Sequence, residues 1–455
     1  MNKKENKISK EIKINKKLAR RNYSNQTGIT LIALVVTIVV LLILAGVSLN
    51  AIFSENGIIK RAQDAQNKMN NAQESDLNAL NDLDKWINNQ VNGTTGGNTT
   101  GGNDNPSTTP KISTLVGKVV DKNTKAEDAY GNKITIPKGF KILEHNPTSN
   151  TGAVTYNYTN LEETGEHIPA VQDGIVIEDT QTGTAGNQFV WVPVGTIKNK
   201  NSSTNTITLG RYEFDSSTGA LKSTTPAQVA SVENCTKIVT ISKGGTDYQE
   251  LSTFREGNSA TNSTAQNATA RNLEEFISTT LANGGYYIAR FEASGTASKI
   301  ASKYNQTVLG NITQPNAAKV AREMYGEVKE NNELVYASDL VNSYAWDTAI
   351  VFIQTYSGKT DYASHNESIT TKAFTATGKN NDKYCNIWDM SGNAYEWTTE
   401  YSTSSHNSNF YPCVRRGGYY NTDNGRAHNY TSDRYYDNTT SSNSYSSLRS
   451  LLYVK

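Results

Sequence analysis

From Ile29 to Phe53 the chain runs 25 residues without a charged side chain. A run of that length suffices to cross a bilayer as a helix. Its many β-branched residues do not argue for a strand, because a lone segment in lipid must satisfy its own backbone. Beyond Gly57, the residues Ile59, Ala62, Ala65, Met69, Ala72, Leu77, Leu80 and Leu83 recur on a polar background, the spacing of an amphipathic helix. Residues 92–110, NGTTGGNTTGGNDNPSTTP, carry no apolar side chain except proline. They cannot bury enough surface to fold and read as a flexible tether.

After the tether, short apolar and aromatic runs alternate with Gly, Asn, Ser and Thr clusters. KITIP, GIVIED, QFVWVPV and GGYYIARFEA predict strands. LVNSYAWDTAIVFIQ is longer, and Val341, Tyr344, Ala345, Thr348, Ile350 and Val351 follow a helical period. Residues 316–328 predict a second, shorter helix. The expected layout is a basic leader (1–28), a helical stem (29–91), a linker (92–112) and an irregular α+β head (113–455).

Charge sharpens the division. The total of +1 hides +7 over residues 1–28, which leaves −6 for the remainder. A body of that balance has no basic face for nucleic acid. The basic residues precede the apolar run, so the leader is expected in the cytoplasm and the head outside, a single-pass protein held in membrane lipid through residues 29–53. Three cysteines, Cys235, Cys385 and Cys413, are too few for a disulfide scaffold and form no C-x-x-C pair for zinc. Cys385 and Cys413 could bridge, which spacing leaves open.

The upstream edge of the apolar run, TGITLIALVVTIVVLLILAGVSL, resembles the prepilin cleavage and methylation segment of type IV pilins. The charged region is too long, and no A-x-A site follows, for a secretory signal. The resemblance implies cleavage after Gly28 by a prepilin peptidase, N-methylation of Ile29, and other pilin subunits as partners. Most pilins carry Glu at the fifth mature position, where this chain has Ala33. An ordinary uncleaved membrane anchor is the alternative.

In the head, GGYYIARFEAS (284–294), SYAWDTAIVF (343–352), NIWDMSGNAYEWTTE (386–400) and VRRGGYY (414–420) come in the order of a known family. They resemble the formylglycine-generating enzyme (sulfatase-modifying factor) family, which implies a C-type-lectin-like fold. The family's closing G-F-R is here Ser447, Leu448 and Arg449. Its enzymes place a redox-active cysteine pair after the R-G-G block. No cysteine follows Arg416 here, so the thiolate chemistry has no carrier and no enzyme is expected. The resemblance also implies calcium at Asn393 and Glu396, whose hard oxygens suit that ion. The competing reading makes Trp388, Tyr395 and Trp397 core aromatics, with Asn393 and Glu396 tying loops together. Arg290, Glu292, Arg415 and Arg416 read as a structural ion-pair network.

From Tyr419 to Ser447, 25 of 29 residues are Tyr, Asn, Ser, Thr, Asp or His. Each of those types is reachable from an Asn codon by changing only adenines. Lys, Gln, Glu, Met and Trp are not, and none occurs there. The pattern resembles the variable region of diversity-generating retroelement target proteins, which also have C-type-lectin-like folds and C-terminal variable regions. Tyrosine offers a large amphipathic contact with few torsions to freeze, and Ser, Asn and Thr offer adaptable hydrogen bonds. Within a variable region over 416–450, the expected contacts with an external protein or glycan are Tyr419, Tyr420, Asn421, Asp423, Asn424, His428, Asn429, Tyr430, Asp433, Tyr435, Tyr436, Asn438 and Tyr445. A surface receptor or adhesin is the leading function. A structural subunit of a type IV filament is the alternative, and an oxidase on the same fold is a third.

Overall fold

The computed structural model describes residue 39 and residues 109–161, 165–250, 267–330, 333–366, 373–406, 409–420 and 430–455. The leader, the stem with its cleavage site Gly28 and Ile29, and all of the tether before residue 109 lie outside them, Val39 excepted. Among the described residues no helix is long and apolar enough to cross a membrane. The last residues of the predicted linker already belong to the head. Lys111 bridges to Glu127 and pairs with its carboxylate at 2.7 Å, and Ile112 is fully buried.

The head is mixed and sheet-rich. Two sheets dominate, and their strands in chain order are β1 (Phe140–Ile142), β2 (Val176–Asp179), β3 (Gln188–Pro193), β4 (Ile241–Lys243), β5 (Thr246–Gln249), β6 (Gly285–Ala289), β7 (Glu327–Glu330), β8 (Glu333–Leu340), β9 (Tyr395–Ser402), β10 (Cys413–Arg416), β11 (Tyr435–Asp437), β12 (Ser446–Leu448) and β13 (Ser450–Val454). Among the described residues three α-helices accompany them: α1 (Leu273–Asn283), α2 (Gln314–Glu323) and α3 (Ser343–Tyr356).

The larger sheet is antiparallel throughout, in the order β7-β8-β13-β6-β3-β2-β1. Its central strands β3, β6 and β13 are buried on both faces, which is why they read as unbroken apolar runs. Side chains alternate across a strand, so the sheet separates two cores. Val190, Val192, Tyr286, Ile288, Leu451 and Tyr453 face the core filled by α1 and α3. Phe189, Trp191, Tyr287, Leu452 and Val454 face the other. The smaller sheet runs β4-β5-β9-β10-β11, with β12 lying parallel to β9. A third core of α2 alanines, Trp397, Cys413 and Leu448 packs beneath it.

The four strand predictions and the longer helix prediction correspond to observed elements, whereas the helix predicted over 316–328 is observed over Gln314–Glu323 and residues 327–328 open β7 instead. Helix α1 is not among the predicted ones. Its signals lie at its ends: Asn272 accepts from the Glu275 amide at 3.0 Å, and Gly284 closes the helix at φ 73°. Within the C-terminal segment, β11 forms and pairs antiparallel with β10.

Candidate functional site

Strand β10 carries two adjacent arginines, and alternation sends them to opposite faces. Arg416 goes inward. Its guanidinium pairs with Asp347 of α3 and, at 3.4 Å, with Glu400 of β9. Arg211 and Arg434 close the same buried cluster, Arg211 at 2.6 Å from Glu400 and Arg434 at 2.6 Å from Asp347 and 2.9 Å from Glu400. Burial alone would raise the pKa of Glu400, but Arg434, Arg211 and Arg416 outweigh it and hold it down to about 2.

Arg415 goes the other way, into a nest of rings. Its guanidinium carbon lies 4.5 Å from the ring centre of Tyr395, 4.9 Å from Tyr435, 5.1 Å from Tyr445 and 5.6 Å from Trp397. It also donates to Ser446 Oγ at 2.8 Å and pairs with Asp437 at 3.1 Å. The rings continue outward from this centre. Tyr395 stacks on Tyr419 at 5.0 Å, Tyr419 meets Tyr445 at 4.9 Å and Tyr420 at 5.5 Å, and Tyr420 meets Phe374 edge-on at 5.4 Å. On the β11 side Tyr435 stacks on Tyr436 at 5.6 Å, and Tyr436 leans on Tyr411. Tyr419, Tyr420, Tyr435, Tyr436 and Tyr445 are all half-buried. A turn at Gly417 (φ +88°) leads the chain out of β10, and a Cβ there would lie 2.7 Å from the Met390 carbonyl.

Tyr430 is half-buried at a second edge. The Lys243 ammonium sits 4.8 Å over its ring, beside a cavity of about 330 Å³ lined also by Glu213, Asp215, Lys222 and Arg434. Between these edges, Thr431 to Arg434 are buried. Trp346 Nε1 donates to the Thr431 carbonyl at 2.9 Å, and the Ser432 amide donates to the Ala363 carbonyl at 3.0 Å.

The structure therefore sorts the predicted contacts. Tyr419, Tyr420, Tyr435 and Tyr445 gather around Arg415 and Tyr395, Tyr436 joins them through its stacking on Tyr435, and Tyr430 flanks the cavity. Asp433 is corrected: it is fully buried and paired with Lys243, a fastening rather than a contact. Asn438 is half-exposed, but its side-chain oxygen accepts from the Thr440 amide at 3.0 Å and hydroxyl at 2.8 Å, which shapes a turn. Asn421, Asp423, Asn424, His428 and Asn429 lie outside the described residues. The sequence reading missed Phe374, Tyr395, Tyr411 and Arg415 as parts of this face. The signal for Arg415 was its neighbour, since two arginines side by side in a strand cannot share one environment.

The calcium reading does not fit the donor set. Glu396 receives Arg449 Nε at 2.8 Å, and its other oxygen receives Arg449 Nη2. Asn393 accepts from the Thr375 amide at 2.9 Å and donates to Glu292 at 2.6 Å. Both residues tie segments together. The single ion-pair network is corrected as well. Arg290 donates to Gln188 Oε1 at 2.7 Å and to backbone carbonyls, and of the four residues named for that network Arg416 alone joins Arg211 and Arg434 in the buried Asp347–Glu400 cluster. All three cysteines are free, so Cys385 and Cys413 do not bridge, and burial pushes the Cys413 thiol well above its ordinary pKa.

These features define a sheet-rich head that gathers an aromatic, polar-rimmed face from its C-terminal segment. The chain matches no family model and no curated protein. Among solved structures it is similar to a Major Tropism Determinant I1 variant, at 12% identity and a TM-score of 0.23, over 76% of this chain and 99% of that one. A Major Tropism Determinant U1 variant follows at 10% identity and a TM-score of 0.21, over 76% and 98%. Similarity at that level carries no argument about fold or ligand.

Proposed function

We propose that this chain is a surface-anchored receptor or adhesin, whose C-type-lectin-like head presents the face around Arg415 to an external protein or glycan. One observation carries the reading: buried Arg415 lies against Tyr435 and Tyr445 of the C-terminal segment, and Tyr419, Tyr420 and Tyr436 extend the same run of ring contacts outward. Interfaces draw much of their affinity from aromatic anchors with a packed side and an open side. The buried stretch Thr431–Arg434 fixes the segment to α3 and β9, so the residues on either side can change without loss of the scaffold. That division suits a region diversified at adenines. The anchor is the membrane segment 29–53, processed after Gly28 in the pilin-like reading, and the head carries no enzyme chemistry.

The test is adhesion by cells that display the full-length chain. Replacing Tyr419, Tyr420 and Tyr436 by Ser should leave the head accessible to protease shaving at native levels while attachment to host or partner surfaces falls at least tenfold. Undiminished attachment overturns the reading. At the locus, a near-copy of the DNA for residues 416–450 that differs only at adenines would support diversification, and identical segments in sister strains without such a copy would remove it.

A further inference from the structure

From Thr155 to Tyr158 the chain belongs to no strand, and side chains hold its backbone instead. Asn386 Oδ1 accepts from the Thr155 amide and Asn386 Nδ2 donates to the Thr155 carbonyl, both at 2.9 Å. Asp173 Oδ1 accepts from the amides of Asn157 and Tyr158, both at 2.9 Å. Between these fastenings two histidines hold Tyr156. His145 Nδ1 accepts from its amide at 3.0 Å, and His167 Nδ1 meets its carbonyl at 2.7 Å. The Tyr156 side chain is fully buried, and its hydroxyl donates to the Leu143 carbonyl at 3.0 Å.

These two bonds fix the protons on the rings. A carbonyl only accepts, so His167 carries a proton on Nδ1. An amide only donates, so His145 keeps a lone pair on Nδ1 and, when neutral, bears its proton on Nε2. The rings stack on one another, their centres 4.0 Å and their planes 13° apart. A further proton then acts differently on the two. His167 takes it on Nε2 and keeps its bond to the carbonyl. His145 can take it only on Nδ1, which sets two donors face to face and leaves the amide of buried Tyr156 without its acceptor.

The surroundings resist that proton as well. Burial, then His167, then Lys383 of the 383–386 turn hold the His145 pKa below its ordinary value of 6.5. Lys383 is itself tied to the same segment, donating to Thr155 Oγ1 at 2.7 Å. Glu144 and Glu166 neighbour the two histidines along the chain and are exposed. Asp173, whose charge interacts with His167, runs the other way: burial raises its pKa to about 6. A proton taken on its Oδ2 leaves Oδ1 accepting from both amides.

We propose that the His145–His167 stack is a proton-operated latch on residues 155–158, closed while His145 is neutral and released in mildly acidic water. The sign follows from linkage. The open form binds the His145 proton near the ordinary value, and the closed form binds it only at lower pH. The closed form therefore keeps the stability due to His145 above about pH 6.5 and loses it as pH falls towards the closed-state value. Asp173 favours closure below pH 6 and so offsets part of this loss. Thr155, Asn157 and Tyr158 line a cavity of about 400 Å³, so release takes down one of its walls. None of the cavity's lining residues belongs to the C-terminal segment, and the latch stands apart from the tyrosine face.

The experiment is amide hydrogen exchange on the full-length chain at pH 7.5 and 5.0, with protection referred to the intrinsic exchange rate at each pH. His145→Asn is the variant, because its Oδ1 can accept from the Tyr156 amide and cannot charge. The ratio of variant to native protection over residues 154–158 should rise at least fivefold from pH 7.5 to 5.0. Peptides from β13 should show the same ratio at both. The comparison removes the Asp173 contribution, which is common to the two chains. A ratio over 154–158 that does not change with pH overturns the proposal, as does an equal change in β13. Nitrogen NMR of the native chain with labelled histidine decides the matter even where the variant fails to fold. His145 should hold its proton on Nε2 at pH 7.5 and titrate below 6.5. A proton on its Nδ1 at pH 7.5, or titration at 6.5 or above, overturns the proposal.

Discussion

Tyr435 stands opposite Arg415 in the ladder between β10 and β11, with the guanidinium carbon 4.9 Å from the centre of its ring. The pair links the buried sheet to the exposed face. Arg415 is 3% exposed, whereas Tyr435 is half-buried, so a single cross-strand contact carries order from the scaffold to a residue that meets solvent.

Arg415→Ala should therefore lower stability by about 2–3 kcal/mol, since it removes stacking on several rings and leaves Asp437 without its cation. Arg415→Lys keeps the charge but not the flat fork, and should recover less than half of that loss. Urea unfolding measures both, and the near-UV tyrosine signal should weaken in each. Full recovery in Arg415→Lys would show that charge alone holds the face.

Within the C-terminal segment, stability should separate the fastenings from the presenters. Arg434→Ala leaves Asp347 and Glu400 short of a buried partner, and should cost about 3–5 kcal/mol. Tyr436→Ser, at a half-exposed stacked ring, should cost about 1 kcal/mol or less. Chemical unfolding of the two variants side by side decides it. Equal losses would mean that the segment folds as one unit and cannot tolerate exchange at its tyrosines.

Glu396 and Arg449 make a buried pair where the family resemblance implied calcium. Removing calcium with EDTA should leave the melting temperature unchanged, while Glu396→Ala should cost about 3–5 kcal/mol by stranding Arg449. A fall in melting temperature with EDTA that calcium restores, and that Glu396→Ala abolishes, would return the ion to this site.

How much of this was legible beforehand follows from where the information lies. Strands such as Gln188–Pro193 and the helix over Ser343–Tyr356 declare themselves through local periodicity. The tyrosine face declares itself through composition. Which polar residues point inward does not, because the partner is remote in sequence. Asp433 looks like its neighbours until Lys243 is found beside it, 190 positions away. Asn393 and Glu396 carry oxygens that suit a metal, and only the fold shows them committed to Thr375, Glu292 and Arg449. Helix α1 was hidden by its β-branched residues and marked only by its caps.

Glu250 offers a test of the head's electrostatics by pH. Its carboxylate is fully buried and accepts from the Ser343 amide and hydroxyl, both at 2.8 Å, and from the Thr399 hydroxyl at 2.6 Å. Burial outweighs these bonds and raises its pKa to about 7. The unfolded chain releases this proton near the ordinary Glu value of about 4.3, so between that pH and 7 the folded state holds a proton that the unfolded state has lost. Stability from this group is thus full below about pH 4.3 and declines as pH rises towards 7, by about 4 kcal/mol in total. Glu250→Gln cannot titrate. The difference between native and variant unfolding free energies should fall steadily from pH 4.5 to 7 and be flat above about pH 8. A difference that does not change with pH over this range would mean that Glu250 titrates normally, and that its three donors compensate its burial in full.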